Sequence, residues 1–229
     1  MKKLLVALVV LLALLVVADR VGVLLAERAV AAQIASRGGL QGTPDVEIAG
    51  FPFLTQAVSG TYDDVQVHLT ADQLGQPAGT RADVSLRGVH VPFSDVLSRS
   101  VGEVPVDRVD GTATVPYALL AAQLGGDTTI ASEGGGVRVT RTVSVLGYDF
   151  PVSAAGTVGL DGSDLVVDVQ QAEAAGVDVP GFVLKQAAAL LDVRYPVPAL
   201  PFGLRLTSVA AAADGVHVAV EAQDTVLRG

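Results

Sequence analysis

After Lys2 and Lys3, no polar position interrupts the chain from Leu4 to Ala18, a run made only of Leu, Val and Ala. A positive start followed by such a run is what the export machinery reads, and the two lysines are expected to stay on the cytoplasmic side. Fifteen apolar residues are short for a membrane span, which takes about 20. Val21 to Ala26 lengthen the run past Asp19 and Arg20. Val16-Val17-Ala18 also puts a small residue before Asp19, where a signal peptidase would cut. A retained anchor and a cleaved signal both stay open, with the anchor favoured. A buried core helix is disfavoured, because the run has no polar face to meet water.

From Asp19 to Arg37 the pattern is helical, with Val23, Leu24, Val30 and Ile34 towards one side and Arg20, Glu27 and Arg28 elsewhere. Gly38-Gly39 ends it. From Val46 the period falls to 2 and stays there for most of the chain. Val65, Val67 and Leu69 alternate with Gln66, His68 and Thr70, the mark of a sheet with one dry and one wet face. Asp45 to Ala49, Val84 to Val91 with a bulge near Gly88, and Val104 to Thr114 are further strands. A meander follows through Val137 to Leu146, Phe150 to Leu160 and Leu165 to Gln171. Its joints, Gly147-Tyr148-Asp149 and Asp161 to Asp164, are too short for anything but antiparallel neighbours. Leu204 to Ala212 and Val216 to Ala222 form a last hairpin, with a primed turn expected at Asp214-Gly215. Short helices are expected at Thr55 to Ser59, Asp95 to Arg99 after Ser94, Tyr117 to Leu124 after Val115-Pro116, and Phe182 to Leu191 after Pro180-Gly181.

These elements make an α+β protein: a curved antiparallel β-sheet packed with a long N-terminal helix and two or three short helices, with an apolar groove between them in the manner of tubular lipid-binding folds. At 229 residues, half of them apolar, the chain can bury a real core. No repeat or low-complexity linker divides it. The simplest organisation is residues 1–18 as signal or transmembrane anchor and residues 19–229 as one exported domain.

Charge and composition then remove several functions. A formal charge of −9 opposes nucleic-acid binding and a polybasic grip on anionic lipid alike. With no cysteine, neither a disulfide framework nor a thiolate site is possible. The sequence lacks Gly-x-Ser-x-Gly, Gly-x-Gly-x-x-Gly and Walker-type Gly-Lys-Ser/Thr motifs, and Gly134-Gly135-Gly136 reads as a plain loop. His68, His90 and His217 are dispersed, and alternation puts His68 and His217 on wet faces. The carboxylate pairs Asp63-Asp64, Asp107-Asp110 and Asp161-Asp164 read as turn or strand-end residues rather than acid–base couples or calcium ligands. No catalytic residue, metal ligand or cofactor is expected.

Two apolar knots remain, Gly50-Phe51-Pro52-Phe53-Leu54-Thr55-Gln56 and Pro198-Ala199-Leu200-Pro201-Phe202-Gly203. They either line an apolar cavity or serve as ordinary core, and physics alone favours core. The order of a hydrophobic segment, a helix ending in Gly, Val46-Glu47-Ile48, the first knot, then Gly60, Tyr62, Val65 and Val67 resembles the actinobacterial LmeA family of envelope phospholipid-binding proteins, named for lipomannan elongation. Val115-Pro116-Tyr117-Ala118-Leu119-Leu120 and Leu200 to Leu204 look like its later landmarks.

The resemblance implies an envelope protein on the periplasmic side of the plasma membrane, anchored or released after cleavage. It further implies that phospholipid is bound, of phosphatidylinositol type, in support of lipoglycan or envelope assembly and without catalysis. It identifies no contact residues. Apolarity nominates Phe51, Pro52, Phe53, Leu54, Phe182 and Phe202. The partners expected are phospholipid, the membrane and envelope glycosyltransferases, with no nucleic acid. The alternative is a membrane-anchored scaffold that recruits envelope enzymes.

Overall fold

The computed structural model describes residues 2–92, 94–95, 102–124, 128–145, 148–162, 164–174, 193–196 and 200–228. It is an α+β protein, as the change of period from 3.6 to 2 requires. One helix, α1 (Lys2–Gly38), runs unbroken through the apolar segment and the amphipathic stretch that follows. No proline falls within it, and it stops where Gly39 takes φ +62°, a conformation that costs glycine least. Its first part is bare, with large side chains from Leu4 to Val17 exposed. It is long and apolar enough to cross a membrane.

Beyond it come β1 (Asp45–Ala49), α2 (Phe53–Ser59), β2 (Thr61–Thr70), α3 (Ala71–Leu74), β3 (Arg81–His90), β4 (Glu103–Val115) and α4 (Tyr117–Leu124). The remaining strands are β5 (Thr128–Glu133), β6 (Gly136–Val145), β7 (Tyr148–Asp161), β8 (Asp164–Ala174), β9 (Val193–Pro196), β10 (Arg205–Ala212) and β11 (Gly215–Arg228), with a 3-10 turn at Pro201–Gly203 before β10. They form two open sheets, ordered β1-β2-β3-β4-β11-β10 and β5-β6-β7-β8-β9. The chain divides into two compact units, one of Met1–Gly75, Asp83–Asp110 and Ala222–Gly229, the other of Gln76–Ala82 and Gly111–Glu221.

In the first unit, β1 pairs antiparallel with β2 so that Val46 faces Val67 and Ile48 faces Val65. All four are buried, and Phe53, Ala57, Val89, Val106 and Val109 join them. Each Val, Ile or Phe side chain so withdrawn from water contributes about 1.5–3 kcal/mol. Helix α1 packs on β1 and α2. The face it uses overlaps the expected one at Val23, Val30 and Ile34 but is shifted away from Leu24. Asp19, Val23 and Ala31 are buried, whereas Leu24 is half exposed. Glu27 belongs to the packed face, because its Oε1 accepts a hydrogen bond from the backbone N–H of Ile48 at 3.0 Å.

In the second unit, β6, β7 and β8 form the expected meander, and β10 lies against β6 and β7. Val137, Val139, Val152, Ala154 and Val216 are buried there. Gly134-Gly135 is a two-residue hairpin turn rather than a plain loop, with φ +57° and +82° between Glu133 and Gly136. That is the geometry of a primed turn, which the right-handed twist of paired strands favours. The β10–β11 turn is not primed. Its central residues are Ala213 and Asp214, and positive φ falls instead on Gly215 at +152°. A Cβ on Gly215 would strike the Val115 carbonyl oxygen. The expected helix at Phe182 to Leu191, and residues 96–99 of the one after Ser94, lie outside the described residues.

Candidate functional site

The first knot is built on α1. Gly50 turns the chain with φ +101°, and the Phe51–Pro52 peptide is cis. Pro52 stands at the N-cap of α2 and has no side chain able to cap it. The missing acceptor comes from another element: Asp19 Oδ1 on α1 takes the backbone N–H of Leu54 at 2.8 Å. The second Asp19 oxygen accepts from Arg20 at 2.7 Å. One acid in an apolar helix is thus buried and fully used. Gln56, also buried, locks the knot from the sheet side by donating to the Ala49 carbonyl at 3.1 Å and accepting from the Asp63 N–H at 2.9 Å. Gly60 closes α2 at φ +71°, where its N–H reaches the Gln56 carbonyl at 2.8 Å.

The nominated residues separate by exposure. Phe53 is a core residue. Its ring sits where a Cβ on Gly22 would meet it at 3.4 Å, and its centroid is 6.1 Å from that of Tyr62. Burial pushes the Tyr62 phenol pKa up. Phe51, by contrast, is 65% exposed, with the Arg20 guanidinium 5.1 Å above its ring. Leu54 is partly exposed, and Val58, one turn further along α2, is 78% exposed. Phe202 belongs to the other unit, in the 3-10 turn, with φ +59° and a half-exposed side chain. Phe182 lies outside the described residues. Asp19, Arg20, Gly22 and Val58 were not singled out from the sequence. The available signal was a lone acid ending the apolar run, with a glycine one turn later on the same face.

The histidines are each paired with an aspartate on exposed surface. His68 Nδ1 meets Asp83 at 2.7 Å, His90 Nε2 meets Asp107 at 2.9 Å, and His217 Nε2 meets Asp214 at 2.8 Å. His90 Nδ1 is also 3.4 Å from the Thr61 hydroxyl. This line of Thr61, His90 and Asp107 resembles a nucleophile–base–acid array in connectivity. The His90 side chain is 42% and that of Asp107 64% exposed, so it lacks the water-excluded surroundings in which such an array gains most.

The carboxylate pairs, expected in turns or at strand ends, are placed partly otherwise. Asp63 and Asp64 lie within β2, and Asp107 and Asp110 within β4. Only Asp161 and Asp164 flank a turn. Cross-strand and neighbouring partners explain the strand positions. Ser85 donates to Asp64 at 2.7 Å, and Arg108 grips Asp110 through both carboxylate oxygens. The Arg108 hydrogen bonds outweigh burial and hold the Asp110 pKa below the usual carboxylate value. No group of residues among those described is arranged to hold a metal ion.

Two open sheets, a long apolar helix and exposed apolar side chains where helix and knot meet define an α+β protein with a membrane-compatible N-terminus. The chain belongs to the LmeA-like phospholipid-binding family, whose model matches residues 17–221. The family is a lipid-binding one, which points to lipid binding and away from an enzyme. No curated protein and no solved structure matches the chain.

Proposed function

We propose that this protein binds phospholipid of phosphatidylinositol type in the cell envelope and supports lipoglycan or envelope assembly without catalysing a reaction. In this reading α1 is retained as an anchor, and residues 19–229 act on the periplasmic side of the plasma membrane. The family match over residues 17–221 carries the proposal. The charge of −9 supports an affinity that comes from acyl chains rather than headgroup attraction. Each buried methylene contributes about 0.8 kcal/mol, so two sequestered chains need no basic patch.

The test is native mass spectrometry of the full chain after extraction in mild detergent. Adducts of phospholipid mass, enriched in phosphatidylinositol over the membrane pool, are the expected result. Bare protein that also takes up no lipid from vesicles would overturn it.

A second reading, a scaffold that recruits envelope glycosyltransferases, draws support from the sheets being open. β1 and β10 end one sheet and β5 and β9 the other. End strands offer backbone groups to a partner strand. Crosslinking at these strands in membranes would return such an enzyme if this reading holds and none if it does not.

A further inference from the structure

Residues 4–18 rise about 22 Å as helix, against a hydrocarbon core of about 30 Å. The shortfall of about 8 Å corresponds to the next five or six residues of α1. That is the stretch on which the knot is mounted: Asp19 holds the Leu54 amide, and Gly22 lets the Phe53 ring approach.

At this level the surface is apolar on both elements. Val21, Leu24 and Leu25 on α1 are 50%, 50% and 60% exposed; on the knot, Phe51 under Arg20 and Leu54 near Gly22 are 65% and 37% exposed, and Val58 one turn along α2 is 78% exposed. Scattered apolar residues on a surface need no explanation, but a set gathered at one level of a membrane-compatible helix does. The polar groups there are already arranged for such a boundary. Asp19 is buried beneath the knot, while the half-exposed Arg20 lies over the Phe51 ring, as an amphipathic cation does when its stem is in lipid and its head among phosphates.

We propose that Val21, Leu24, Leu25, Phe51, Leu54 and Val58 form a collar that enters the headgroup boundary of the bilayer crossed by α1. The collar completes the apolar length that residues 4–18 lack and seats the first unit directly on the leaflet. The proposal rests on α1 being a retained span and is independent of which lipid the protein binds.

The chain contains no tryptophan, so a single substitution gives an unambiguous fluorescent probe. The full chain carrying Val58→Trp is reconstituted in nanodiscs of phosphatidylcholine and phosphatidylglycerol, with and without lipid spin-labelled near the headgroup. Leu54→Trp is the second probe should the first disturb folding. Ser36→Trp, seventeen residues past Asp19 and about 25 Å further along the same helix, is the reference.

The expected result is blue-shifted emission at positions 58 and 54 that spin-labelled lipid quenches, with position 36 unshifted and unquenched. Emission at 58 and 54 matching that at 36 would overturn the collar. A blue shift without lipid quenching would overturn it too, and would assign the surface to a second copy of the chain. Release of the protein from the nanodisc would remove its premise. Lipid adducts measured by mass spectrometry in the same preparations separate these failures from failure of phospholipid binding.

Discussion

The Asp19 carboxylate caps a helix that begins thirty-four residues later in the chain, through a 2.8 Å hydrogen bond from the Leu54 amide. Asp19→Ala leaves that part-buried amide without its acceptor, which costs the helix its N-terminal cap. Hydrogen exchange at Leu54 is expected to accelerate strongly in Asp19→Ala and only modestly in Asp19→Asn, which keeps an oxygen in place. Equal protection in all three chains would mean that the capping bond is dispensable.

Phe51 and Phe53 are two residues apart and should behave in opposite ways. Phe53→Ala empties a packed site and is expected to cost about 3–5 kcal/mol in urea unfolding. Phe51→Ala, at an exposed position, should change stability by less than about 0.5 kcal/mol. Under the proposed collar, its effect falls on lipid quenching of the Val58→Trp probe, which should weaken in the double variant.

Gly22 offers a graded check on the docking of α1. A methyl there would touch Phe53 at 3.4 Å, an ordinary contact, so Gly22→Ala should be accepted and add about 0.5–1 kcal/mol of helix propensity. Gly22→Leu has no such room and should displace the ring, lowering the melting temperature and restoring exchange at the knot.

The His68 pKa is raised above its ordinary 6.5. The hydrogen bond to Asp83 is the main cause, burial opposes it, and the charges of Asp83, Asp45 and Glu47 add to it. Stability from this pair is therefore fully present below pH 6.5 and lost as pH rises through the elevated folded value. Both side chains are nearly half exposed, so the effect is small. His68→Asn should unfold at lower urea than the parent in mildly acidic buffer and together with it in alkaline buffer. The opposite pH trend would refute the assignment.

Gly215 takes φ +152°, and a side chain there would run into the Val115 carbonyl, which is backbone and unable to move aside. Gly215→Ala is expected to lower stability by about 1–3 kcal/mol in thermal unfolding. Gly39→Ala, also at positive φ but with nothing within 4 Å, should cost about 1 kcal/mol.

Much of the fold was legible because its signals are local. Alternation at Val65, Val67 and Leu69 marked β2 and its dry face, proline and glycine bracketed α4 at Tyr117 and Leu124, and short joints fixed the meander as antiparallel. Strands β5 and β9 and helix α3 carried weaker local patterns and were not foreseen. The misplaced side chains of the first unit share one cause. Glu27, Asp64 and Asp110 each satisfy a hydrogen-bonding group on another element or a strand neighbour, and such a partner is invisible to periodicity along one segment. The knot itself was visible as phenylalanine around proline. Its division into Phe53 inside and Phe51 outside was not, since that depends on which ring Gly22 admits.

Because α1 passes residues 18 and 19 without a break, nothing acts as a swivel between its bare portion and the strand it carries through Glu27 and Ile48. A tethered domain on a slack leash samples every orientation. With α1 retained as proposed, the first unit rides on a stiff mast, so the tilt of the helix dictates which surface of that unit is presented to anything travelling along the membrane.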